Sequence, residues 1–152
     1  MTQAFEGIRV IDFSQVLVGP FAALQMALLG ADVIKIEQPG QGDQMRTMMA
    51  DDKLAEMKLS AAFLGVNSNK RGITVDLKHP DGKEIINRLL KDADVVIENF
   101  KAGVLERLGF GYEAVRAIKP DILYCSIPGY GQQGPMAGQA AFDGAIQAEH
   151  RK

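Results

Sequence analysis

The chain has 152 residues, 47% of them hydrophobic and 24% charged, with a formal net charge of −2 and an isoelectric point near 5.7. That length suits one domain with its own core, or part of one, and is short for two. The composition excludes a disordered or fibrous class, and the slight acidity argues against a general nucleic-acid binder, which would carry a basic excess.

Along the chain, residues 8–13 read as a short buried strand. Pro20 then begins an apolar helical run that ends at Gly30, where glycine suits a helix C-cap. Residues 32–37 form the next strand. The segment 38–52, with its glycines, proline, methionines and Arg46, has no clean period and reads as a long loop. Residues 53–64 can form a helix, and 72–77 alternate as a strand. Pro80 starts another helix, with Asp81 and Glu84 in its first turn and Ile85, Ile86, Leu89 and Leu90 as its buried face. Residues 95–98 are a fourth strand, 104–108 and 112–118 short helices, and 122–126 a fifth strand.

Cys125, the only cysteine, leaves no internal disulfide and no paired-cysteine metal site. Its apolar neighbours make it a buried strand residue rather than a nucleophile. The most apolar stretch, 21–30, is too short to span a bilayer, and Glu6, Arg9 and Asp12 interrupt the region where a signal peptide would be apolar, so a cytoplasmic protein with no membrane partner is expected. There is no internal repeat or low-complexity tract. Strands that are continuously apolar and alternate with helices predict an α/β fold, a Rossmann-like parallel sheet with helices on both faces. Ligands of such sheets bind at the carboxyl ends of the strands.

The first strand-to-helix turn reads S-Q-V-L-V-G-P and lacks the glycine fingerprint of a dinucleotide site. Glu37, where a ribose-binding acid would lie, reads as a solvated strand-end acid without that fingerprint. No Walker motif, zinc helix, nucleophile elbow or calcium loop is present, and the two histidines, His79 and His150, provide neither a metal site nor a triad. No metal cofactor is expected.

Lys70 and Arg71 share a turn with Asn67 and Asn69 and offer two cations and amide donors to a phosphate. Asn99 and Phe100 end the next strand, Arg107 lies near the end of the helix that follows, and these three are expected on one sheet edge. The run from Pro128 through Gly129, Tyr130 and Gly131 to Pro135 could bring backbone amides to an oxyanion.

These strings, G-I-R-V-I-D-F, G-P-F-A-A-L-Q-M-A-L-L-G-A-D-V-I-K-I-E, G-D-Q-M-R, N-K-R-G-I-T-V-D-L, A-D-V-V-I-E-N-F and G-Y-G-Q-Q-G-P, occur in an order that resembles the amino-terminal part of the family III CoA-transferases. The resemblance covers residues 7–148. It implies residues 1–148 as a CoA-binding α/β domain belonging to the family's larger one, with 149–152 as a divergent charged tail. Its implied function is transfer of coenzyme A between an acyl-CoA thioester and a free carboxylic acid. Coenzyme A would be bound by Val16, Leu17, Val18, Gln38, Asn69, Lys70, Arg71, Gly72, Asn99, Phe100, Arg107, Pro128, Gly129, Tyr130 and Gly131. Some members carry glutamine in place of Leu17 and arginine in place of Gln38.

The resemblance further implies a nucleophilic aspartate about thirty residues past the G-Y-G loop, beyond Lys152, so the chain reads as truncated. Asp143 matches a different position and reads as a helix start. A homodimer is implied as well. A racemase of the same superfamily would need a histidine where Phe142 stands. A non-catalytic CoA-binding or oligomerising fragment is the remaining alternative.

Overall fold

The computed structural model describes residues 2–48 and 50–149; of the expected charged tail, residues 150–152 lie outside the described residues. Five strands, β1 (Arg9–Asp12), β2 (Asp32–Glu37), β3 (Arg71–Thr74), β4 (Val95–Glu98) and β5 (Leu123–Ser126), form one sheet in the order β3-β2-β1-β4-β5. Every neighbouring pair is parallel, with Ile11 opposite Ile34 on one side and Val96 on the other. The chain steps outward from β1 to β3, then returns to the far side of β1 with β4. The two strand ends diverge there, and a crevice opens between them.

Among the described residues six helices join the strands, α1 (Val18–Leu28), α2 (Asp52–Glu56), α3 (Ala61–Asn67), α4 (Pro80–Lys91), α5 (Val104–Leu108) and α6 (Tyr112–Ile118), and α7 (Asp143–Glu149) follows β5. Alternation of strand side chains divides the core in two. Val10, Val33, Val95 and Ile97 pack with Ala23 and Ala27 of α1, while Ile11, Ile34, Ile36 and Val96 pack with Ile86 and Leu90 of α4 and Val115 of α6. Helices therefore cover both faces. None is long and apolar enough to cross a membrane.

Three local readings are corrected. The helix expected over 53–64 is two, α2 and α3. Lys58 takes φ +53° between them, and the Ser60 hydroxyl caps α3 by accepting from Phe63 N (3.0 Å). The loop 38–52 contains a 3-10 turn at Gln44–Arg46, capped by the Asp43 carboxylate. On α4, Ile86 and Leu90 are buried as expected, but Ile85 is 40% exposed because it turns off the stripe that meets the sheet.

Cys125 is exposed rather than buried. It lies on the same face of β5 as Leu123, which is 68% exposed. In register these two sit beside Ile97 and Val95, but β5 is the edge strand and α1 lies over the sheet's centre. An apolar run reads the same whether its strand is central or at the edge.

Candidate functional site

At the crevice, the turn after β1 meets the residues after β4. Val16 has φ +68°, a conformation that β-branched residues rarely adopt. Three side chains hold the turn. Lys35 Nζ, from β2, donates to Ser14 O (2.8 Å). The Asn99 amide accepts from Gln15 N (2.8 Å) and donates to Gln15 O (2.7 Å). Asp43 Oδ1 accepts from Val16 N (3.0 Å) and Met45 N (2.9 Å). Beyond it, Leu17 and Val18 are more than half exposed.

Beneath this turn lie buried ion pairs that the sequence reading did not foresee. The Lys35 ammonium stands 2.9 Å from Asp43 Oδ2, and the Lys70 ammonium 2.9 Å from Asp12 Oδ2, with all four side chains buried. Glu37 takes a two-pronged contact from Arg46 (2.8 and 2.6 Å) and a bond from Asp43 N (2.7 Å). Burial alone would raise the Glu37 carboxyl, but Arg46 and that amide hold it below its ordinary value. Its oxygens are thus occupied and it is not the solvated strand-end acid the sequence suggested. The available signal was Asp12, Lys35 and Glu37 interrupting otherwise apolar strands.

Lys70 and Arg71, read from their adjacency as a pair, send their side chains to different partners. The Lys70 side chain runs under α1 to Asp12, also donating to Pro20 O (2.8 Å) and Asn67 Oδ1 (2.9 Å). Burial pulls its ammonium down, opposed by Asp12. Arg71 opens β3 at the opposite, amino edge of the sheet and donates to Asp32 (2.8 and 2.6 Å). Lys70 ends the turn before the strand and Arg71 opens the strand, and their different partners, Asp12 and Asp32, separate the two cations. Asn69 has φ +62° and donates to Ala27 O (2.8 Å), and Gly72 is exposed in β3.

A cavity of about 280 Å³ opens at the carboxyl ends of β1, β2 and β3. Phe13, Ile36, Val75, Leu77, Phe100 and Leu108 form its apolar wall, Gln15, Gln38 and Lys78 supply donors, and Glu37, engaged by Arg46, and Asp76 complete the lining. Two expected residues, Gln38 and Phe100, therefore line it, and Asn99 holds its Gln15 wall. Lys78 was missed in the sequence, where it resembles any exposed lysine before a helix. Arg107 is exposed on α5 with its guanidinium against Gly103, outside the lining.

On the other side of β4, the buried Glu98 carboxylate accepts from Phe100 N (2.8 Å) and from the Ser126 hydroxyl, which in turn accepts from Gln132. That chain joins the strand end to the run Pro128–Gly131. Gly129 there packs so closely that an added Cβ would lie 1.9 Å from Ala141 Cβ, and Gly131 has φ +78°. Tyr130 is half-buried. Burial pushes Glu98 up, partly offset by the Ser126 and Phe100 bonds. Asp143 begins α7 and accepts from Gln147 (2.8 Å), as a helix-start residue would.

The sequence model of a family described as CoA-transferase family III matches residues 5–150. The chain is 45% identical over 143 residues to succinyl-CoA:glutarate CoA-transferase of Mus musculus, covering 94% of this chain and 32% of that protein. It is 43% identical over 147 residues to formyl-CoA:oxalate CoA-transferase of Bradyrhizobium sp. strain ORS 278, covering 97% and 34%. A crystal structure of a CaiB/BaiF family protein from Brucella suis superposes with a TM-score of 0.88 at 40% identity, covering 98% of this chain and 39% of that one. The orthorhombic form of Rv3272 from Mycobacterium tuberculosis gives 0.87 at 36% identity, covering 97% and 39%. The chain spans about a third of the length of the curated relatives it matches.

Proposed function

The chain belongs to CoA-transferase family III, and from that premise we propose that it forms the coenzyme-binding layer of a cytoplasmic acyl-CoA:carboxylate CoA-transferase. The observation that carries this reading is the cavity at the carboxyl ends of the strands, where an aromatic wall meets two side-chain amides and the Lys78 ammonium, with the Glu37 charge compensated by Arg46 and Asp76 the one other acid on the lining. Phe100 offers adenine a flat apolar surface, Gln15 and Gln38 offer hydrogen bonds, and Lys78 offers a phosphate its charge. At about 280 Å³, the cavity takes one end of the coenzyme, and the pantetheine arm runs over Val16, Leu17 and Val18 at the crevice.

In the reaction the resemblance implies, an aspartate carboxylate attacks the acyl-CoA carbonyl and expels the CoA thiolate, leaving a mixed anhydride. The thiolate attacks the aspartyl carbonyl of that anhydride, releasing the first acid and forming an aspartyl thioester. The acceptor carboxylate repeats the sequence in reverse and leaves as its CoA thioester. Backbone amides of the run Pro128–Gly131 serve the oxyanions. The part proposed for the residues described here is binding and positioning of the coenzyme. A second copy of the chain is the proposed protein partner, supported by the exposed apolar side chains Leu17, Phe21 and Leu123.

Isothermal titration of the folded chain with coenzyme A, and with dephospho-CoA to isolate the 3′-phosphate, tests the reading. Saturable binding at roughly micromolar Kd is expected, about −8 kcal/mol. Lys78→Ala should weaken it by about 1.5–3 kcal/mol, as loss of a charged hydrogen bond does, while Arg71→Ala at the far edge leaves it unchanged. No saturable heat from a folded sample would sink the coenzyme reading; binding without transfer in any longer form of the protein would favour a non-catalytic binding module.

A further inference from the structure

The turn Ser14–Val16 is held more firmly than its place on the surface of a sheet requires. Val16 in the left-handed region is strained and persists only where its surroundings over-determine it. Those surroundings are three side chains from three different elements, taking Ser14 O, both polar groups of Gln15, and Val16 N in succession. Asn99 supplies the middle contact from the end of β4. The outer two come from Lys35 and Asp43, which pair with each other at 2.9 Å and are at most 3% exposed. Asp43 also caps the 3-10 turn through Met45 N and donates its own N–H to Glu37, so one carboxylate ties the turn to the loop beside the cavity.

Stability alone does not call for such a pair. Apolar side chains of similar volume commonly replace a buried ion pair without loss, because desolvation offsets the attraction. What apolar side chains cannot do is grip a carbonyl and an amide of a neighbouring turn. That turn is a wall of the cavity, which Phe13 and Gln15 both line.

We infer that Lys35 and Asp43 are positioning residues for the coenzyme cleft, holding the strained turn after β1 in the one backbone conformation that presents Gln15 and the Val16–Val18 segment to the ligand. This rests on the coenzyme reading for the ligand's identity; the holding of the turn is read from geometry alone.

The test is the double variant Lys35→Met/Asp43→Leu in the full chain, compared with wild type, with Asp43→Asn as a shape-preserving variant, and with Ile86→Val, a core change on the opposite face, as a control for lost stability. Thermal unfolding, coenzyme A titration and amide hydrogen exchange at Gln15 and Val16 are read on each. The double variant should melt within a few degrees of Ile86→Val, exchange the Val16 amide at least about tenfold faster, and bind coenzyme A about tenfold more weakly, about 1.4 kcal/mol. Ile86→Val should change neither exchange nor affinity. If the double variant fails to fold, Asp43→Asn is judged on the same two readouts, with smaller shifts in the same direction. Wild-type affinity in a folded variant with released charges overturns the inference. Should wild type itself not bind coenzyme A, the coenzyme reading falls, and unchanged Val16 exchange in the variants would overturn the positioning role separately.

Discussion

Among the described residues Glu98 has no cation for a partner; its buried carboxyl accepts from one hydroxyl, one backbone N–H and, at 3.4 Å, the Gln132 amide. Burial raises its pKa above the ordinary 4.5. A carboxyl so raised binds its proton more tightly in the folded than in the unfolded chain. Its contribution to stability is therefore fully present below the ordinary value and is lost as pH climbs through the raised one. Glutamine does not titrate. Wild type should lose stability relative to Glu98→Gln as pH rises from the ordinary carboxyl value through the raised one, read as a melting midpoint that falls relative to that of the variant. A midpoint difference independent of pH would show that the charge there costs nothing. Adjacent Lys70 and Arg71 show the same dependence on surroundings. The buried Lys70 pair is of the kind that costs about 3–5 kcal/mol when one partner is removed, whereas exposed pairs like that of Arg71 are worth about 0–1 kcal/mol.

Helix positions in the sheet are set by how closely backbone can approach backbone. In α4, Gly82 sits where a Cβ would lie 2.0 Å from Asp76 O, so the helix meets the β3 end through bare backbone. Gly65 of α3 has nothing within 4 Å of the same atom. Alanine favours a helix over glycine by about 1 kcal/mol, so Gly65→Ala should raise the urea midpoint. Gly82→Ala, with the same intrinsic gain, should lower it, because a carbonyl cannot yield as a flexible side chain can. Equal effects at the two sites would show that α4 shifts freely over the strand end. The break between α2 and α3 has a similar local cause: Ser60 caps α3 and its hydroxyl donates to Met45 O, tying the helix start to the loop that carries Asp43.

At the scale of the molecule, the sheet order sets both the crevice and the uncovered surface. The reversal between β1 and β4 brings Gln15 against Asn99, 84 positions apart. The same order leaves β5 at the edge with Leu123 and Cys125 bare on the α1 side, while Leu17, Val18, Phe21, Leu28 and Leu29 of the α1 region are exposed. An uncovered strand edge beside apolar side chains favours self-association. Light scattering at micromolar concentration should give a mass above the 16.5 kDa of one chain, reduced toward it by Leu123→Lys. A monomeric mass for wild type would count against a second copy as partner.

The amino-acid sequence by itself determined the alternation of strands and helices, the parallel sheet covered on both faces, the bounds of β2, β4, α5 and α6, and the family, because those depend on local periodicity, caps and short ordered strings. Phe100 at the cavity was also legible, since a residue just past a parallel strand lies at its carboxyl edge, and Gln38 was named by the resemblance. Only the tertiary structure decided what each charge does. Lys70 reads as a free cation beside Arg71 until β3 is placed two strands from β1 and its ammonium meets Asp12, 58 positions earlier. Cys125 reads as core until β5 is known to be the edge, and Lys35 and Asp43, though each lies inside one of the ordered strings, show no sign of pairing until β2 and the loop after it are placed together. A buried charge is defined by the partner that compensates it, and in a parallel sheet the partner comes from a strand distant in sequence.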